Sequence, residues 1–138
     1  VPIWILEENI SQNIQNVIKK STDAFEAFEL RTALLVGFEL AENMNKYIDT
    51  KKPWELKDSS QFDDLRHILY QVGESLRIAG LILSPFFPAK MDELLIRIGA
   101  KTQSEMLKAG LFQRVIVEKI SFSVREKGEP LYMRIVLK

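Results

Sequence analysis

Cysteine is absent from all 138 residues, so the chain can form no disulfide and no thiolate metal site. It has a single histidine, His67, and one imidazole cannot assemble a zinc site. This usage is compatible with a reducing, cytoplasmic setting. Long apolar runs are missing too. The longest, around Leu81-Ile82-Leu83, is cut by Ser84-Pro85, well short of the roughly 20 residues needed to cross a bilayer, and the reading is of a protein with no membrane partner. There is no excess charge of one sign: 19 basic side chains face 19 acidic ones. That balance counts against a protein that coats phosphate backbone indiscriminately, which needs a strong basic surplus. It leaves open local recognition of a few bases. The start, Val1-Pro2-Ile3-Trp4, has neither an initiator methionine nor a basic leader, which predicts that the sequence begins inside a longer protein.

What is present describes one soluble globular domain. Hydrophobic residues make up 46% and charged residues 28%, and the length is enough to bury a real core. From about Glu7 to Phe28, apolar residues recur at three- and four-residue steps through Ile10, Ile14, Val17, Ile18, Ala24, Phe25 and Phe28, the spacing of one helix face. A second helix is expected from about Leu30 to Ile48, after a turn near Phe28-Glu29. Pro53 closes it by disfavouring helical geometry in the residue before. A third is expected from about Ser60 to Leu83, apolar over much of its surface and so placed centrally. A fourth should run from about Ala89 to Ile98 with Gly99 as its C-terminal cap. Thr102-Gln103-Ser104-Glu105 fits a capping box for a further short turn. After Gly110 the pattern alternates through Val115, Val117, Ile120, Phe122 and Val124, and again from Leu131 to Leu137. The expected fold is therefore an all-α bundle of four to five helices over about residues 1–110, with an extended tail over 111–138.

The most informative stretch runs from Asn45 to Leu56. It leaves a helix, passes Lys46, Lys51 and Lys52, and presents Trp54 directly after Pro53 in an interhelical connection. From Lys46 to Lys57 four lysines stand against Asp49 and Glu55, a local surplus in a neutral chain. A rigid aromatic plane on a stiff backbone with cations nearby suits stacking on an unpaired base and contact with its phosphate. The same residues also fit a tryptophan that plugs the bundle end, with lysines merely solvated.

A resemblance bears on that choice. Asn45-x-Tyr47-Ile48 followed by Pro53-Trp54-x-Leu56 is similar to the N-x-Y-I…P-W-x-L signature of methionyl-tRNA synthetases. Pro85-Phe86-Phe87-Pro88 resembles that family's P-F-M-P turn, with Phe87 in place of Met. Leu131-Tyr132-Met133-Arg134-Ile135 resembles its closing L-F-P-R-I, altered at two positions. The three elements occur in order over most of the chain. The resemblance implies an anticodon-binding helical domain in which Trp54 stacks on the first anticodon base, with Asn45, Lys46, Lys51 and Lys52 around it. The family's other base-contacting side chains, an Asn and an Arg on an upstream helix, have no match here. The implied partners are the anticodon loop of methionine tRNA and the catalytic domain of the same polypeptide. ATP would be a substrate of that parent ligase. The H-I-G-H-like and K-M-S-K-S-like sequences that position ATP do not occur in the chain, nor does a G-x-x-x-x-G-K-[ST] loop. This stretch is thus expected to carry no catalytic site and no cofactor.

Other candidates are weaker. His67, beside Arg66, reads as a partly exposed structural residue. Asp63-Asp64 and Glu7-Glu8 suit helix surfaces and N-terminal turns better than acid–base work. Arg134 suits a structural ion pair, and Lys19-Lys20 a solvated helix face. Two rival functions remain: a helical protein-interaction module with Trp54 and Phe86-Phe87 as an exposed anchor, and an anticodon-binding domain of another class I synthetase.

Overall fold

A computed structural model describes residues 4–102 together with Glu105. Four helices follow one another: α1 (Glu8–Glu26), α2 (Leu30–Lys51), α3 (Phe62–Leu83) and α4 (Pro88–Arg97). Two 3₁₀ turns, Pro53–Glu55 and Ser59–Gln61, fill the connection between α2 and α3. The described part is all-α, as expected from the periodicity. The extended tail expected over 111–138, the boundary near residue 110 and Arg134 all lie outside the described residues.

Each helix forms for a legible reason. On α1 the buried residues are Ile10, Ile14, Val17, Ser21 and Ala24, a strict alternation of four- and three-residue steps that makes one narrow stripe. On α2 they are Ala33, Val36, Gly37, Leu40 and Met44. These stripes meet α3 in a core of Ile10, Ile14, Val17, Val36, Leu40, Met44, Ile78, Ala79 and Ile82. Lys51 near Glu7, Asn43 near Asn13 and Glu39 near Lys20 show α1 and α2 running antiparallel. Gly37 against Leu83 sets α3 antiparallel to α2 in turn; a Cβ there would lie 2.6 Å from Leu83 Cδ2, so the two helices touch where no side chain fits. The central placement expected of α3 holds: twelve of its 22 residues are buried.

The ends differ from expectation in instructive ways. The turn after α1 falls where it was placed, with Phe28 in the left-handed region at φ 57. Glu29 N–H donates to Ala24 O at 2.8 Å and Phe28 N–H to Phe25 O at 3.1 Å, a Schellman closure usually made by glycine. Helix α2 runs three residues past Ile48, because the effect of Pro53 reaches back only to Lys52. Lys52 turns left-handed (φ 47, ψ 59) and its N–H donates to Ile48 O at 2.8 Å. Helix α3 starts two residues later than Ser60, since Asp58 and Gln61 form a capping box around the preceding 3₁₀ turn. Pro88 occupies the first turn of α4, where its missing N–H is harmless. Gly99 at φ 76 closes α4, with Ala100 N–H donating to Leu95 O at 2.9 Å. The capping box read at Thr102 is present: Thr102 N–H donates to Glu105 Oε2 at 2.9 Å and Glu105 N–H to Thr102 Oγ1 at 3.2 Å.

Candidate nucleic-acid interface

Up-down-up packing brings the start of α1, the end of α2 and the start of α3 to one end of the bundle. Glu7 organises that end. Its carboxylate Oε1 accepts a hydrogen bond from the Tyr47 hydroxyl at 2.9 Å, with Lys51 Nζ at 3.5 Å and His67 Nε2 at 3.4 Å. Its own N–H donates to Gln71 Oε1 at 2.8 Å, and Gln71 Nε2 donates to Ile5 O at 2.9 Å. The side chain does not cap α1; it ties three helices together instead. His67 is therefore a structural brace, as read, and Tyr47 is committed to bracing too. These partners are 40 and 60 positions apart in sequence, and no local pattern marks them.

Burial, and then the Glu7 carboxylate to which it donates, push the Tyr47 phenol well above its ordinary value. Because the folded state holds this proton more tightly, the stabilisation is complete below the unfolded value of about 10 and is lost as pH rises above it. Unfolding followed against pH should show stability falling above pH ~10 more steeply in the wild type than in Tyr47→Phe. Equal slopes would mean that the Tyr47–Glu7 contact does not bias the equilibrium.

Trp54 sits just beyond this braced end, and the local sequence explains how it is held. Pro53 fixes φ at the first position of the 3₁₀ turn. Glu55 N–H donates to Lys52 O at 2.9 Å and Leu56 N–H to Pro53 O at 3.2 Å. The indole on this closed turn is 56% exposed, so it is not a plug in the bundle end. Around it, Lys52 Nζ lies 3.7 Å from Glu55, and Lys51 Nζ lies 5.5 Å over the Tyr47 ring. Lys46 is exposed and borders a cleft between α1 and α2. Asn45 is exposed as well, but it stands two positions from both Asn43 and Tyr47. That is about 200° round the helix, so it is not brought to the cleft that those two residues line.

Trp4 lies edge-on to Tyr70 with ring centroids 5.6 Å apart. Phe86 stacks on Phe25 at 5.9 Å and Phe87 lies 6.5 Å from Phe38. The single exposed anchor of Trp54 with Phe86-Phe87, entertained above, is not what the bundle builds. The 22 residues of α3 separate the two places, about 33 Å at 1.5 Å per residue, and both phenylalanines are partly buried against their own chain. Among the described residues, no helix is long and apolar enough to cross a membrane. No group of three or more acidic, histidine or cysteine side chains among them is placed to hold a metal ion.

Comparison with known proteins places this geometry. Residues 7–125 match the family model described as the anticodon-binding domain of tRNA ligase. The chain is 32% identical to the methionine–tRNA ligase of Caldanaerobacter subterraneus subsp. tengcongensis, in an alignment covering 90% of the chain and 22% of that protein. It is 31% identical to the enzyme of Bacillus subtilis and 33% identical to that of Lactococcus lactis, each alignment covering 94% of the chain and 19% of the relative. The chain thus spans about a fifth of the length of the curated relatives it matches. With a braced helical bundle, an exposed aromatic turn at one end and a family match over most of its length, the chain belongs to the anticodon-binding domains of tRNA ligases.

Proposed function

We propose that this domain recognises the anticodon loop of methionine tRNA and forms part of a methionine–tRNA ligase. Its ATP-using catalytic domain, on this reading, lies elsewhere in the polypeptide. The observation that carries the proposal is Trp54: a half-exposed indole on a hydrogen-bonded, proline-stiffened turn, in a chain similar to methionine–tRNA ligases. The indole offers an unpaired base a flat face, and the stiff turn reduces the entropy lost on ordering it. Lys46, Lys51 and Lys52 supply positive charge for neighbouring phosphates, and Asn45 a polar group on the outer face. The domain itself performs no chemistry. It grips the loop so that the far end of the tRNA reaches the site where methionine is activated.

Labelled anticodon stem-loops test this directly. A hairpin with the methionine anticodon should bind more tightly than the same hairpin carrying a valine or isoleucine anticodon. Indifference to the swap would reassign the domain to another synthetase, and no binding of any hairpin would favour a protein-interaction module. With three lysines near the turn, only a few phosphates are engaged. The slope of log K against log salt should therefore be shallow, about −0.7 for each phosphate neutralised.

A further inference from the structure

Beside the Trp54 turn, α1 and α2 enclose a cleft of about 450 Å³, within the range of roughly 300–1,000 Å³ typical of sites for small organic groups. Its walls are unusual for a helical bundle. Asn9 and Asn13, one turn apart on α1, face Asn43 and Tyr47, one turn apart on α2, and Lys46 stands at the rim. Asn43 Nδ2 and Asn13 Oδ1 are 3.5 Å apart, a long contact that leaves most of the bonding capacity of both amides unused. Ile10 and Met44, both buried, also line the cleft. The Glu7 carboxylate at one end is already engaged by Tyr47, Lys51 and His67. The cleft therefore offers paired amide donors and acceptors over apolar carbon, with a cation at the edge. Carboxamides of this kind match the donor–acceptor edge of a nucleobase, and a rim lysine matches the phosphate that such a base carries.

The cleft also lies within reach of the turn. Lys51 lines it, and Trp54 is three residues further on, at most about 11 Å of backbone. From the amide pair, the rim lysine and this proximity, we infer that the α1–α2 cleft is a second nucleotide subsite. It takes an unstacked base of the same single-stranded loop, beside the base stacked on Trp54. Asn13 and Asn43 hold its edge, and Lys46 meets its phosphate. This inference rests on the RNA-binding reading above but assigns residues of α1 that the Trp54 motif does not contain.

The test is an abasic scan of the methionine anticodon stem-loop against the full natural protein. Each loop position is replaced in turn and affinity is measured by anisotropy. The wild type should lose affinity at two positions. In an Asn13→Ala/Asn43→Ala variant, intact hairpin should bind about 5- to 150-fold more weakly, the effect of losing one well-made amide–base pairing. One abasic position should then become silent while the other stays sensitive. Trp54→Ala should silence the other position instead. Lys46→Gln, an exposed change that spares the core, should flatten the salt slope by about 0.7 without altering the abasic pattern. If Trp54→Ala behaves as expected while the amide variant binds like the wild type, the subsite is overturned and the Trp54 reading stands. If the amide variant lowers the melting temperature and leaves hairpin affinity unchanged, the cleft packs another protein segment and the inference is likewise overturned. If the wild type binds no hairpin, both readings fall.

Discussion

Trp54→Ala in the full natural protein is expected to reduce methionine charging of tRNA by about 5- to 150-fold, the consequence of losing one aromatic–base stack of roughly 1–3 kcal/mol. Methionine-dependent ATP–pyrophosphate exchange should barely change, because that step needs no anticodon contact. Stability should barely change either. The indole is 56% exposed and its turn is held by backbone hydrogen bonds and Pro53, not by the ring. The three measurements on one variant separate the possibilities. A packing role would lower melting temperature and every activity together; unchanged charging in a stable variant would rule out stacking. Trp4 makes a useful control, since it packs edge-on against Tyr70, and its loss should register in stability before it registers in tRNA use.

Glu74→Ala is expected to be the most damaging single change to the fold among those considered. The Glu74 and Arg77 side chains are 8% and 1% exposed and are joined by two hydrogen bonds, Nε to Oε2 at 2.9 Å and Nη2 to Oε1 at 2.5 Å. Arg77 Nη1 has no partner among the described residues, so the guanidinium depends heavily on this one carboxylate. Removing it strands a buried positive charge, which costs about 3–5 kcal/mol. For a domain of this size that lowers the melting temperature by roughly 10–20 °C. Glu74→Leu combined with Arg77→Met should recover most of the loss, because matched apolar replacement of a buried pair is often neutral or stabilising. Calorimetry on the single and double variants decides it. A single variant as stable as the wild type would show that water reaches Arg77.

How much of this was legible beforehand depends on how local the cause is. The stripe on α1, the stop imposed by Pro53, the glycine closure at Gly99 and the Thr102–Glu105 box all act within one or two turns of backbone. Their residue spacing carries them. The exposed aromatic turn was legible too, because proline before tryptophan at a helix end constrains the same few bonds in almost any context. Hydropathy placed α3 at the centre of the bundle but could not say that Gln71, Glu74, Ser75 and Arg77 go inside with it. Burial of a polar side chain is permitted only by a partner or by a neighbouring helix that covers it. The Glu7 hub and the amide cleft were equally invisible. Residues near 7, 13, 43, 47 and 67 meet only once antiparallel packing folds the chain back on itself. The sequence by itself determined which segments are helical, where they stop and which aromatic is left on a stiff turn, since those follow from backbone sterics and short-range periodicity. Only the tertiary structure decided which polar groups are braced, which are buried and which remain free to meet a ligand, because that depends on which helix faces which.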